Sequence, residues 1–394
     1  MNTIQTLIYV LFFLIIVIYM SFYLYKYIKY KNKYSELKNN ENFIQIGGNK
    51  DTNQFAIKLF NVLDKDHIFS PMSIIFALSL IHLAAISNSQ TDHELTNLFN
   101  HKYNLDEINQ LYNLFNNDIM TITNALLINK MSKNVNNKYI ASIKKLTLVS
   151  YDDFNNAEQV AKKVNDYIDK NTKSMIKNIV KSSDIDITIK LILINTIYFR
   201  AKWLHEFDPI KTSKMPFYND KKNQIDMMVQ KNNFNYYEDN NVQLLEMSYK
   251  NEDYVMGVIL PKKGIPIPKL TNDEMNSMVK KLQEEEVEIY FPKFTHRKNI
   301  QLVSLLKKLD VKTLFNTDAQ LNIADDAYIS NIIHEAVVIV DESGTEASAA
   351  TVVIGKSMAM PNQRIIVFKA DHPFVYYIRH RPTNIILFFG SFCG

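Results

Sequence analysis

An α+β domain is the fold class that this sequence predicts, because helical and strand patterns are interleaved along one chain. Apolar residues recur at helical spacing in 51–63 and in 157–180, which predicts two amphipathic helices. Residues 189–199 are apolar nearly throughout, as expected for a strand in the centre of a sheet. Residues 242–260 and 368–393 each predict a hairpin of two antiparallel strands.

The composition is that of a single globular domain without a nucleic-acid partner. The chain has 394 residues, of which 47% are hydrophobic and 22% charged, enough for one large core or two small ones, and no repeat interrupts the body of the chain, which favours one domain. The net charge of +4 is small and the lysines are scattered, which argues against nucleic-acid binding. Cys393 is the single cysteine, so an intrachain disulfide is excluded and a reducing compartment is indicated.

The amino-terminal segment differs in composition from the rest of the chain. Residues 1–25 carry no charged side chain and are long enough to span a bilayer, with 4–25 in contact with lipid. They predict a retained single-pass anchor rather than a cleaved signal peptide, which would need a positive start and a small-residue cleavage site. Residues 26–50 predict a polar stalk, so the folded domain is expected to span 51–394. A cytosolic body is favoured by the lysines that follow the apolar segment: Lys26, Lys29, Lys31 and Lys33.

A period-two pattern follows the apolar strand predicted at 336–340. Both charged residues of the segment, Glu346 and Lys356, fall on even positions. The odd positions are small or apolar: Thr345, Ala347, Ala349, Thr351 and Val353. One face of the segment can therefore be buried in a sheet, because strand side chains alternate between faces. A small-residue linker would have a similar composition, and composition alone does not separate the two interpretations.

Several motifs, which occur in the expected order, resemble those of the serpin family. They are FSPMSI at 69–74, NTIYFRAKW at 195–203, EIYFPKFT at 288–295, the segment that follows His334, and the hairpin at 368–393. The only tryptophan, Trp203, falls where the family has its own. The resemblance covers 51–394, and the carboxyl-terminal motif is most similar to the intracellular branch of the family.

This resemblance implies a serpin fold. A large, mostly antiparallel central sheet is expected, together with two smaller sheets, about nine helices and an exposed reactive-centre loop. In serpins, cleavage of the loop allows its amino-terminal part, the hinge, to insert into the central sheet as a new strand.

The resemblance also implies the roles of individual residues. A hydrogen-bonded group beneath the central sheet, the shutter, is expected to contain Ser70, Ser73, Asn195 and His334. The hinge is expected to contain Glu342, Gly344, Thr345, Glu346, Ala347, Ser348, Ala349, Ala350 and Thr351. The bond expected to be cleaved is Met358–Ala359, which suits a protease that accepts a medium apolar side chain. The runner-up is Lys356–Ser357, which would imply a trypsin-like protease.

The function implied is that of a suicide-substrate inhibitor and not of an enzyme. Gly344 would allow the backbone to bend where insertion starts, and the small odd-numbered residues would enter the sheet without overpacking. No second histidine completes a zinc motif after His334-Glu335, and no GxSxG motif is present, so neither a metal, a cofactor nor catalysis is expected. The expected partner of this monomer is a serine or cysteine protease, bound covalently. The alternative is a non-inhibitory, membrane-tethered binding or structural protein of the same fold.

Overall fold

The structure, a computed structural model, describes residues 49–219, 223–345 and 366–394. The chain divides into two units, Met1–Gly48 and Asn49–Gly394, and the described residues all belong to the second. Three sets of predictions therefore lie outside the described residues. They are the anchor with most of the stalk, the hinge from Glu346 to Thr351, and both candidate bonds at 356–359.

The described unit begins with a helix, and its other helices lie between its strands along the chain. They are α1 (Asn49–Val62), α2 (Pro71–His82), α3 (Gln90–Phe99), α4 (Leu105–Phe115), α5 (Asn137–Ile143), α6 (Ala157–Asn171), α7 (Asn272–Lys280) and α8 (Val303–Lys308). Helix α2 begins where Ser70 accepts a hydrogen bond from the Ser73 amide and Pro71 occupies the first turn, and all its residues are buried. It is therefore a central helix of the fold.

Helix α6 is shorter than the pattern at 157–180 predicts. It ends at Asn171, and Thr172 then donates its hydroxyl to the Ile168 carbonyl. Lys173 and Ser174 have φ values of 51° and 63°, which end the right-handed helix. The apolar residues beyond this point, Ile176 and Ile179, are still buried, but from an irregular segment. Their spacing therefore indicated burial correctly and secondary structure wrongly.

The strands of the described residues form two hydrogen-bonded sheets. The nine-stranded sheet contains β1 (His67–Phe69), β6 (Ser213–Phe217), β7 (Asn223–Glu238), β8 (Val242–Ser248), β9 (Tyr254–Pro261), β10 (Gln283–Pro292), β14 (Ile366–Lys369), β15 (Phe374–His380) and β16 (Ile385–Phe392). The seven-stranded sheet contains β2 (Met120–Asn129), β3 (Leu148–Asp152), β4 (Leu191–Phe199), β5 (Ala201–Lys202), β11 (Phe294–Gln301), β12 (Ile329–Val340) and β13 (Gly344–Thr345). The α+β class is confirmed, and so are the hairpins predicted at 242–260 and 368–393.

One long strand explains why two sheets are found where one large and two smaller sheets were expected. Strand β7 pairs first with β6, then with β10 and finally with β8. Because β7 is long enough to pair with all three, it joins the strands of the two smaller sheets into one hydrogen-bonded sheet.

The seven-stranded sheet carries the candidate site, and both its faces are covered. Its order is β3-β2-β4-β12-β13-β5, with β11 on the other edge of β12. Every residue of β4 is buried, which confirms the prediction of a central strand. On one face, α6 and the segment after it pack their apolar side chains on β2, β4 and β12. On the opposite face, α2 contacts β4 through the Ser73 hydroxyl.

The predicted membrane localisation is corrected by the structure. Among the described residues, no helix is both long and apolar enough to cross a membrane. The single-pass anchor, the lipid contact of residues 4–25 and the cytosolic orientation of the body are therefore not supported. The prediction rested on length and hydropathy, which are necessary for a membrane span but are shared by other apolar segments. Residues 1–25 themselves lie outside the described residues.

Candidate functional site

The candidate site is the line along which β4 and β12 meet in the middle of the seven-stranded sheet, which we call the seam. The two strands are parallel, and their pairing runs from Leu191 with Ile329 to Tyr198 with Val337. Parallel pairing is slightly less stable per residue than antiparallel pairing. A strand that runs antiparallel to both neighbours would therefore be well paired if it entered the seam.

Strand β13 already occupies one end of the seam. Gly344 pairs with Lys202, and Thr345 pairs with Ala201 on one side and with Val340 on the other, always antiparallel. The first two residues of this antiparallel segment thus lie between β5 and the end of β12.

Gly344 is required by close backbone packing. A Cβ atom at this position would lie 2.2 Å from the Ala201 carbonyl oxygen and 2.6 Å from the Lys202 Cα atom. Both atoms belong to the backbone and cannot move aside as a flexible side chain would. The sequence interpretation gave bending as the reason for this glycine, whereas the structure shows a close approach between two strands.

The Thr345 side chain is completely buried and contacts Tyr249, which in turn stacks on Trp203. Its hydroxyl lies 2.8 Å from the Tyr249 hydroxyl, and Tyr249 stacks on Trp203 with ring centroids 4.6 Å apart. The Trp203 indole nitrogen donates to the Asp341 carbonyl oxygen at 2.9 Å. Trp203 therefore does more than fill the core, because it fixes the turn that leads from β12 into β13.

The four residues predicted for the shutter form one hydrogen-bonded network across the seam. His334 Nδ1 lies 2.7 Å from Asn195 Oδ1, which joins β12 to β4 directly. The Ser70 amide donates to His334 Nε2 at 3.1 Å, and Asn195 Nδ2 donates to the Ser73 hydroxyl at 2.7 Å. The four residues are fully buried. The network therefore connects both strands of the seam to α2.

One further member of this network escaped the sequence interpretation. Asn195 Nδ2 also donates to Asn124 Oδ1 on β2 at 2.7 Å. Asn124 is buried, and no described residue accepts a hydrogen bond from its own amide nitrogen. An asparagine inside an apolar strand, as in the MTITNALLIN sequence of β2, is the signal that would have found it.

The charge state of His334 follows from its contacts. Because Nε2 accepts a hydrogen bond from a backbone amide, the proton of the neutral ring lies on Nδ1 and is donated to Asn195. Complete burial lowers the pKa of His334 to about 3. The seam is thus held by a neutral imidazole.

Comparison with known proteins decides the family. The family model described as serpin (serine protease inhibitor) matches residues 50–394. The chain is a serpin. Members of this family form covalent complexes with target proteases and are not catalytic enzymes, although some are non-inhibitory.

Relatives of this serpin include viral and animal proteins. An uncharacterized serpin-like protein of Acanthamoeba polyphaga mimivirus is 44% identical over 402 residues, which cover 94% of this chain and 100% of that protein. Leukocyte elastase inhibitor of Equus caballus is 32% identical, over 86% of this chain and 97% of the inhibitor. The crystal structure of human thyroxine-binding globulin has a TM-score of 0.76 at 26% identity, covering 88% of this chain and 97% of that one. The predicted serpin fold is thereby confirmed.

Glu342 fixes the entrance of the seam from outside. Its carboxylate accepts hydrogen bonds from Lys293 Nζ at 2.7 Å and from the Thr212 hydroxyl at 2.9 Å. Partial burial has the largest single influence and would raise the pKa of Glu342. The hydrogen bonds from Lys293, the backbone and Thr212, together with the charge of Lys293, outweigh burial and lower the pKa. The hydrogen bond to Glu342 raises the pKa of Lys293. In this serpin an ion pair therefore joins the connection between β10 and β11 to the turn before β13.

Stability of this serpin is expected to fall as the pH drops below about 6.5, the ordinary pKa of histidine. The unfolded chain takes up a proton on His334 near that pH, whereas the folded protein does so only near pH 3. The unfolded state thus binds more protons between these values, and stability falls with pH across that window. Burial lowers the pKa values of His67, His82 and His296 as well, which adds to the effect.

Denaturant unfolding at about pH 7 and about pH 5, for the wild type and for His334→Gln, measures this dependence. Between about pH 7 and about pH 5 the unfolding free energy of the variant should fall by a smaller amount than that of the wild type. An equal fall of unfolding free energy in both proteins would show that His334 does not cause the pH dependence of stability.

Proposed function

We propose that this serpin inhibits a serine protease, or a cysteine protease, as a suicide substrate whose hinge inserts into the seam. The observation that carries the proposal is the position of Thr345, which is buried and paired with strands on both sides. Insertion would continue a strand that has already started, so that no separate nucleation step is needed.

The pairing of Thr345 predicts where the following residues would go. Each later residue would lie opposite an earlier residue of β12 and of β4. This register places Thr351 between His334 and Asn195, which are hydrogen-bonded to each other before insertion. The threonine hydroxyl can donate and accept, so it can replace the bond that its entry would break.

The same register supports the side-chain pattern of the sequence. Paired residues on neighbouring strands point to the same face, and Thr345 shares its face with Val340 and Ala201. Residues with odd numbers would then point to the face that α2 covers, where the small side chains at 347 and 349 fit. Glu346 would lie on the opposite face.

The chemistry proposed for inhibition is an interrupted hydrolysis. The hydroxyl oxygen of the protease serine attacks the carbonyl carbon of Met358, and the Met358–Ala359 bond breaks as the Ala359 amine leaves with a proton from the protease. The Met358 acyl group is then an ester of the serine. Insertion in the register above brings residue 356 opposite Ile329, so the attached protease would be carried along β12 by about 35 Å.

The experiment that tests this proposal incubates the full chain with trypsin, chymotrypsin, pancreatic elastase and papain. We expect at least one covalent complex that survives denaturing gel electrophoresis. Mass spectrometry of the carboxyl-terminal fragment should give 359–394 for cleavage after Met358, whereas 357–394 would indicate Lys356. Cleavage in the loop by every protease without a stable complex would contradict the proposal.

A second candidate function is that of a non-inhibitory binding protein. The similarity to thyroxine-binding globulin favours it, because that protein was crystallised with a small-molecule ligand on the same fold. Such a protein does not need an insertable hinge.

Cleavage of the loop is expected to separate the two candidates. An inserted strand would add about ten backbone hydrogen bonds near 1 kcal/mol each, which raises the melting temperature by on the order of 10 °C. The measurement compares melting of the intact and the loop-cleaved protein. An unchanged melting temperature would favour the binding protein.

A further inference from the structure

A layer of chain lies across the seam and is tied to the sheet on both sides of it. The covering layer consists of α6 and residues 172–180. Asn165 on α6 exchanges two hydrogen bonds with the Val180 backbone, at 2.9 and 3.0 Å, so that the two parts are held as one. Ile176 and Ile179, which belong to the layer, form one apolar cluster with Ile333 and Val337 of β12.

The first tie, the β11 anchor, consists of Arg297, Asn299 and Glu335. Arg297 donates to the Glu335 carboxylate at 3.0 Å and also to the Met175 carbonyl oxygen. Asn299, which lies opposite Glu335 in the ladder, donates to the Ile179 carbonyl oxygen at 3.1 Å. The Glu335 side chain is only 5% exposed, so its charge is shielded from water. These bonds fix 172–180 to β11 and β12.

The second tie, the β3 anchor, lies on the far side of the seam. Lys163 on α6 donates to the Ser150 hydroxyl at 2.6 Å and to the Asp152 carboxylate at 2.7 Å. Both acceptors belong to β3, which is separated from β12 by β2 and β4. The covering layer is thus fastened to one half of the sheet by Lys163 and to the other half by Arg297 and Asn299.

The seam cannot open while the hydrogen bonds of both anchors are intact. A new strand between β4 and β12 moves them apart by about 4.8 Å, the usual spacing of neighbouring strands. Hydrogen bonds are lost when donor and acceptor separate by more than a few tenths of an ångström beyond normal contact. One of the two anchors must therefore release before the strand can enter.

We propose that the β11 anchor and the β3 anchor together act as a brake on strand insertion, with Arg297 and Lys163 as its positioning residues. The inference rests on the proposed function, because it concerns the step in which the hinge enters the seam. The brake keeps the uncleaved protein closed, and release of either end frees the covering layer to move with one half of the sheet.

The test measures how fast the seam accepts a strand without any protease. The probe is a synthetic peptide with the sequence of residues 345–358, and its uptake by the full chain is followed on native gels. The variants are Arg297→Gln/Asn299→Ala/Glu335→Gln, which removes the β11 anchor and with it the buried Glu335 charge and its partner, Lys163→Gln, which removes the β3 anchor, and the combination of all four substitutions. Lys231→Gln, which removes the ion pair with Glu286 in the other sheet, is the matched control.

We expect peptide uptake to be about tenfold faster in each variant that loses one anchor, since hydrogen bonds to charged groups contribute this much. The combined variant should be no faster than the faster of the two, because releasing one end already removes the constraint. Lys231→Gln should match the wild type. Circular dichroism and denaturant unfolding show whether each variant is folded.

Three results would overturn the brake. They are unchanged uptake in both anchor variants, effects of the two anchors that multiply in the combined variant, and an equal acceleration in Lys231→Gln. Complex formation with proteases is measured in parallel, so that failure of inhibition in the wild type is seen separately from failure of the brake. A peptide that enters neither the wild type nor any variant would count against both proposals.

Discussion

Thr345→Arg is expected to convert this serpin from an inhibitor into a substrate. The native side chain is fully buried, with its hydroxyl 2.8 Å from that of Tyr249. An arginine here would either bury an unpaired charge or push the hinge out of the seam, and both raise the barrier to insertion. Hydrolysis of the acyl-enzyme would then finish first. The measurement is the yield of denaturation-resistant complex with a protease that the wild type traps, which should fall nearly to zero while loop cleavage continues.

Thr345→Ser is the matched control for this variant. Serine keeps the hydroxyl that faces Tyr249 and loses only a methyl group, so complex formation should remain close to that of the wild type. A Thr345→Arg protein that still trapped its protease at wild-type yield would refute the inserting role of the hinge.

Asn195→Ala is expected to destabilise the native state by about 3 kcal/mol or more. The Asn195 side chain forms hydrogen bonds with three buried residues. Its removal takes one hydrogen-bond partner from each of them: His334, Ser73 and Asn124. A buried polar group left unpaired costs about 1–3 kcal/mol. The measurement is the free energy of the first unfolding transition in denaturant.

Ser79→Ala provides the control for Asn195→Ala. Ser79 lies on α2 like Ser73 and is equally buried, but its hydroxyl has no hydrogen-bond partner among the described residues. Its removal should change stability by less than about 1 kcal/mol. If both variants lost the same unfolding free energy, the hydrogen bonds across the seam would not stabilise the native state more than an ordinary buried side chain of α2 does.

The sequence predicted the elements that simple periodicity controls. The uniform apolar character of β4 identified a central strand, and the alternation after Gly344 agrees with the buried position of Thr345. Contacts between distant residues were not accessible in this way. The pairing of Lys163 with β3 and of Arg297 with residues 172–180 depends on how the chain crosses the sheet, which no local pattern encodes.

The site was predicted unevenly for the same reason. Ser70, Ser73, Asn195 and His334 were assigned through resemblance, and the structure brings their polar atoms together. Asn124 was missed because its partner lies on another strand. The hinge beyond Thr345 and the residues at 356–359 stay predictions, because they lie outside the described residues.

The single tryptophan gives this serpin a built-in optical signal. Trp203 stacks on Tyr249 at 4.6 Å, and the Tyr249 hydroxyl contacts Thr345 directly. Indole emission depends on what lies against the ring. A movement of the hinge at Thr345 is therefore expected to change the Trp203 fluorescence, and no added label is needed. Stopped-flow fluorescence can therefore time the movement of this segment in the unmodified protein, and its rate can be compared with the rate at which a protease is trapped.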